Sequence, residues 1–143
     1  MKKVLPICIL CIIFLFCGCF AGKLTGNISV EKKLNNPIIV DFVFIFDQPT
    51  LDELKKVPSM QWFANRNQYK MDLELNDKIQ ILSYELVPGQ NMQIEKFRPN
   101  HRNEGVIIFV SYLSSGDHRV ILKDYSKVDL SLDKDDFTVK VEN

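Results

Sequence analysis

Residues 38–46, Ile-Ile-Val-Asp-Phe-Val-Phe-Ile-Phe, constrain the fold of this chain more than any other segment. The run is dense in β-branched and aromatic side chains, which suit a pleated, buried surface. Alternation puts Phe42, Phe44 and Phe46 on one face and Val43 and Ile45 on the other. Both faces are apolar, so both need cover, and only Asp41 interrupts the pattern. Shorter runs of the same kind follow. Residues 79–87 end at Pro88-Gly89, a strong turn signal. Residues 91–97 leave through a polar stretch at 98–104. Residues 106–112 hold the continuous run Val-Ile-Ile-Phe-Val, which marks a second central strand. A hairpin loop at 114–117 leads into 118–123, and 128–132 and 137–141 are joined by a turn at 133–135. Seven or so short strands, with turns at near-regular spacing, predict an all-β sandwich. One helical region is predicted over 50–69. Thr50 and Glu53 have the spacing of a capping box, and Leu51, Leu54 and Val57 share a helical face. Pro58 stops that turn, and Ser59 is placed to cap a second one that carries Trp62 and Phe63 into the core.

The first residues have a different character. Lys2 and Lys3 are followed by an uncharged apolar run over 4–16, then by Cys17, Gly18 and Cys19. This is the layout of a secretory signal peptide, and the run is short of the ~20 residues that a spanning helix needs. Its end resembles the lipobox of bacterial lipoproteins, in which a small residue precedes a cysteine that receives lipid and becomes the new N-terminus. The resemblance implies a signal peptide at 1–18, a lipid-bearing tether at 19–27 and a sandwich domain at 28–143. Phe16 and Cys17 depart from the usual Leu and small residue at those positions. The chain's four cysteines are Cys8, Cys11, Cys17 and Cys19. Cleavage would remove three, and acylation would occupy the sulfur of Cys19, so the domain is expected to fold without disulfides. A domain of this length can do so on its core alone. Several acyl chains would make attachment permanent, whereas one binds reversibly. Phe20 and Ala21, rather than Asp, follow Cys19, which favours the outer membrane. The full chain has 18 basic and 18 acidic residues, and loss of Lys2 and Lys3 leaves a slight negative excess. That balance argues against a nucleic-acid partner, and no polybasic run is present to assist membrane binding.

Catalytic constellations are absent from the sequence. His101 and His118 lack Cys, His or carboxylate neighbours at metal-ligand spacing and read as solvated turn residues. Ser114, Asp117 and His118 are the residue types of a hydrolytic triad, but triad members normally converge from separate elements. Asp133, Asp135 and Asp136 begin like a calcium loop that no Gly or distant Glu completes. No P-loop, dinucleotide fingerprint or nucleophile elbow occurs. The expectation is a binding protein rather than an enzyme, with no cofactor beyond covalent lipid on Cys19 and no small-molecule substrate.

Feature order carries one further resemblance. A lipoprotein signal precedes a short strand and Asn35-Asn36-Pro37-Ile38-Ile39-Val40. The helical region with Trp62 and Phe63 comes next, then Leu86-Val87-Pro88-Gly89, the strand from Val106, and Arg119-Val120-Ile121-Leu122. This resembles the TssJ family, the outer-membrane lipoproteins of type VI secretion systems. The resemblance implies a transthyretin-like β-sandwich of seven to eight strands with one inserted helical region, facing the periplasm. It implies a partner, an inner-membrane secretion core subunit with a periplasmic domain. In the family, the loop between the first two strands contacts that subunit. The matching residues here are Glu31, Lys32, Lys33, Leu34, Asn35 and Asn36, with Asn36 standing where the family often has glycine. Three other readings remain open: a secretin pilotin or type III secretion lipoprotein chaperone, a periplasmic hydrolase or ligand-binding lipoprotein, and a purely structural envelope lipoprotein with no dedicated machine.

Overall fold

The computed structural model describes residues 22–143. Its strands are β1 (Leu24–Val30), β2 (Ile38–Ile45), β3 (Ile79–Leu86), β4 (Asn91–Phe97), β5 (Gly105–Val110), β6 (Arg119–Leu122), β7 (Lys127–Leu132) and β8 (Phe137–Glu142). They form two four-stranded sheets, ordered β4-β1-β7-β8 and β3-β2-β5-β6. Neighbouring strands are antiparallel except β1 and β7, which run parallel. The expected all-β sandwich with one helical insertion is the observed architecture.

Pleating explains the two cores. Phe42 and Phe44 point between the sheets and meet Ile28, Ile94, Val106 and Leu130. Phe44 packs on Phe97 with ring centroids 5.0 Å apart. Val43 and Ile45, on the other face of β2, join Ile107 and Phe109 of β5 under the helical insertion. Every residue of β5 and every residue of β2 except the partly exposed Ile39 is therefore buried, as two apolar faces require.

The insertion contains α1 (Gln48–Leu54), α2 (Ser59–Ala64), α3 (Arg66–Tyr69) and a π-helical turn at Lys70–Glu74. Its caps differ from the expected ones. Asp47, not Thr50, caps α1, and its carboxylate accepts from the Thr50 amide at 2.8 Å and the Thr50 hydroxyl at 3.0 Å. Asp is as good a cap as Ser or Thr, and Pro49 fits the first turn of a helix, so the helix starts earlier and buries Thr50. Pro58 occupies the cap position of α2, and the Ser59 hydroxyl instead donates to the His118 carbonyl. The helical path also continues past Tyr69 to Glu74.

The sandwich begins at Leu24 rather than at residue 28, because β1 is held from its start between β4 and β7. Gly26 and Asn27 are poor strand formers, which hides this start in the sequence. Gly26 has a reason to be there. Its φ is +149°, and a Cβ would lie 1.8 Å from the Val128 carbonyl oxygen. Residues 1–18 and residues 19–21 of the expected tether, Cys19 among them, lie outside the described residues.

Candidate functional site

Strand directions sort the loops into two ends. The connections 31–37, 87–90, 111–118 and 133–136 gather at one end of the sandwich. Residues 22–23, 98–104 and 123–126 lie at the other, with the points where the helical insertion leaves β2 and enters β3. The residues expected to bind a partner thus sit at the far end from residue 22.

That loop is anchored at its edges and open at its tip. The Glu31 amide donates to the Leu132 carbonyl at 2.8 Å, and the Leu34 amide reaches the Glu31 carbonyl at 3.3 Å. Leu34 is half-buried against the inter-sheet core. Lys32, Lys33, Asn35 and Asn36 are exposed. Beyond Pro37, the Ile39 amide donates to the Ser111 hydroxyl at 2.7 Å, which ties the first loop to the 111–118 loop. A depression of about 350 Å³ opens between them, lined in part by Leu34, Asn36, Pro37, Tyr112, Leu113 and Lys134. Leu113 is 83% exposed at its rim. The Tyr112 hydroxyl lies 2.8 Å and 2.6 Å from the carbonyls of Asp133 and Asp136 and pins the acidic turn beside it. Burial raises the Tyr112 phenol above its ordinary pKa, with the three aspartates of that turn adding to the shift. This end therefore offers an apolar notch flanked by lysines and aspartates, suited to a polypeptide surface. The sequence reading named the first loop but not Leu113 and Tyr112, which reach this end of the sandwich only through pairing of β2 with β5.

His118 departs from its expected place. It is buried, packs on Tyr112 with centroids 4.7 Å apart, and has a φ of +42°. Its Nδ1 is 3.4 Å from Asp136 Oδ1, and its Nε2 lies 3.1 Å from the Ser114 carbonyl and 3.4 Å from Ser114 Oγ. The closer partners take the protons: Nε2–H goes to the carbonyl, and the Ser114 hydroxyl donates to Asp135 O at 3.1 Å. The hydroxyl then has no base. Asp117 turns away to Arg119 at 3.0 Å, and Asp136 is an exposed carboxylate. The cluster braces two loops and lacks the geometry of an activated nucleophile. His101 is exposed, with its ring edge-on to Phe46 at 5.0 Å.

A second polar cluster was not legible in the sequence. The Asp41 carboxylate is fully buried and accepts from Trp62 Nε1 at 2.9 Å, Arg66 Nε at 2.6 Å and Arg66 Nη2 at 3.1 Å. Arg66 also donates to Ser83 Oγ at 3.0 Å. The Asp41 carboxylate bonded to it raises the Arg66 pKa further above its ordinary value. Trp62 is stacked between Phe109 and Tyr69, with centroids 4.7 Å and 4.9 Å away. With three donors on the buried Asp41 carboxylate, two of them from Arg66 and one from Trp62, the cluster fastens the insertion to the sheet. Among the described residues, no group of three His, Cys, Asp or Glu side chains could hold a metal.

No family model matches the sequence, and no curated protein does. Solved structures do resemble the fold. The type VI secretion lipoprotein TssJ1 from Pseudomonas aeruginosa is 11% identical, with a TM-score of 0.65 over 86% of this chain and 98% of that one. Lip of Serratia marcescens, a membrane-bound component of the type VI secretion system, is 11% identical, with a TM-score of 0.61 over 84% and 98% of the two chains. A structure named as the type VI secretion protein TssM C-terminal domain from EAEC is 12% identical, with a TM-score of 0.59 over 84% and 98%. The chain shares their fold, as the resemblance implied.

Proposed function

We propose that this chain is the lipid-anchored lipoprotein of a type VI secretion membrane complex, held at the outer membrane through Cys19 and facing the periplasm. There it docks the periplasmic domain of an inner-membrane core subunit. The fold shared with TssJ1 and Lip over nearly their whole length supports the assignment. The TssM match supports the nature of the partner. The role is that of a docking protein; no step of chemistry is needed.

One observation carries the mechanism: residue 22 and the 31–36 loop stand at opposite ends of β1. Seven strand residues at ~3.3 Å each span roughly 23 Å. The residues between Cys19 and Gly22 can reach at most ~10 Å when extended. Lipid on Cys19 would therefore hold the near end at the membrane and present Glu31, Lys32, Lys33, Leu34, Asn35 and Asn36 outward. Confinement to a thin layer raises the effective concentration toward a partner that crosses the periplasm, so modest affinity suffices.

The test is affinity purification of the full-length protein from detergent-solubilised envelope, with wild type beside Lys32→Glu/Lys33→Glu. Wild type is expected to recover a large inner-membrane protein with a periplasmic domain, and the charge-reversed protein to lose most of it. Equal recovery would remove this loop from the interface.

A further inference from the structure

The end of the sandwich that carries residue 22 gathers basic side chains from three distant segments. Lys23 precedes β1, Arg98 and Arg102 lie between β4 and β5, and Lys123 follows β6. All four are exposed. Among the described residues, none of the four has a carboxylate within ion-pair distance, whereas other surface cations such as Lys55 and Lys127 do. Tyr125 joins the segments into one platform. Its hydroxyl donates to Asn103 Oδ1 at 3.1 Å, and its ring lies 3.7 Å from where a Cβ of Gly22 would sit. Gly22, Arg102, Asn103, Lys123, Asp124 and Tyr125 line a shared cleft.

Acidic groups at this end are Glu104 and Asp124, which have no ion-pair partner among the described residues, and Glu142, which is paired with Lys127 at 3.9 Å. On the insertion side stand Asp77 and the pair Lys78–Asp47 at 3.9 Å. The opposite end has the reverse balance: Asp117 is paired with Arg119 at 3.0 Å, and its loops hold Glu31, Asp133, Asp135 and Asp136 against Lys32, Lys33 and Lys134. Charge is therefore separated along the long axis of the sandwich, with the positive end where the chain leaves toward its apolar N-terminal segment. Screening confines such attraction to about 10 Å at 0.1 M salt, so it acts only if this end is held at a charged surface. Guanidinium groups suit phosphate because their fork matches its oxygens.

We infer that this basic end is a contact surface for anionic phospholipid headgroups, which sets the domain upright on the bilayer and points the 31–36 loop away from it. The inference rests on the proposed attachment through residues before Gly22. It is separate from the identity of the protein partner. Each basic side chain in the headgroup layer of an anionic membrane favours the contact orientation by about fivefold.

The test uses the full chain reconstituted into nanodiscs of phosphatidylglycerol with phosphatidylcholine, or of phosphatidylcholine alone. Co-elution with the discs is scored first, so that loss of attachment, which would overturn the premise, is told apart from loss of contact. Amide hydrogen exchange is then compared at 98–104 and 123–126, with 111–118 as the far-end control. Several-fold slowing at the two near segments in anionic discs only, abolished by 0.5 M salt and by Arg98→Glu/Arg102→Glu/Lys123→Glu, supports the contact. Unchanged exchange at 111–118 in that variant reports an intact fold. Equal exchange in the two disc types, slowing at 111–118 instead, or slowing retained by the variant would overturn it.

Discussion

Replacing Arg66 with Met isolates the energetics of the cluster that fastens the insertion to the sheet. The Asp41 carboxylate has no solvent contact, and Arg66 supplies two of its three donors. Methionine keeps much of the aliphatic volume and removes the charge and both bonds. Breaking a buried pair by deleting one partner costs about 3–5 kcal/mol, because the remaining charge is uncompensated. The Arg66 side chain is 24% exposed, so water can replace part of what it provides, and we expect the lower end, about 3 kcal/mol. Asp41→Val/Arg66→Met removes both charges and leaves only Trp62 Nε1 without an acceptor. An unsatisfied buried donor costs about 1–3 kcal/mol, and valine suits the strand. The double variant should therefore be more stable than Arg66→Met alone. Urea unfolding reads this directly, because Trp62 is the single tryptophan and belongs to the cluster. A loss below about 1 kcal/mol for Arg66→Met, or a double variant less stable than the single, would refute the argument that uncompensated charge dominates.

Gly26→Ala should destabilise by more than about 2 kcal/mol, since the new methyl meets the Val128 carbonyl at the parallel β1–β7 contact; an unchanged urea midpoint would count against the described register. Cys19→Ser should release the protein from the outer-membrane fraction after cell fractionation, and a variant that still sediments with that fraction would show that lipid on Cys19 is not the anchor. Burial pushes the Tyr125 phenol from 10.0 up to about 12, so the folded state keeps a proton that the unfolded chain releases. Its contribution is therefore complete below pH 10 and is lost as pH rises through about 12. Tyr125→Phe should flatten the fall in stability over that window, as followed by unfolding midpoints at each pH.

Some of the site was legible for a local reason. The 31–36 segment is short, polar and closed by a proline, so it could be read as a loop between strands without knowledge of its neighbours. The notch beside it could not be read this way. Leu113 and Tyr112 come from a loop more than seventy residues away, and they reach Leu34 because Val40 pairs with Val110. The helix starts were misplaced because Asp47, Thr50 and Ser59 are all competent caps. Burial of Thr50 within α1, where its hydroxyl donates to Asp47, and the bond from Ser59 to the His118 carbonyl decided among them.

By itself the sequence determined which segments from residue 38 onward become strands and that β2 and β5 must lie inside. Period-two alternation and the hydrophobicity of both faces are properties of a few consecutive residues. Only the tertiary structure decided that Asp41 is a satisfied ion-pair partner rather than a flaw in a strand, since Arg66 and Trp62 reach it from the insertion. It alone assembled Lys23, Arg98, Arg102 and Lys123 at one end from a sequence with no polybasic run. Position in space depends on strand order and direction, which the local pattern of side chains does not encode.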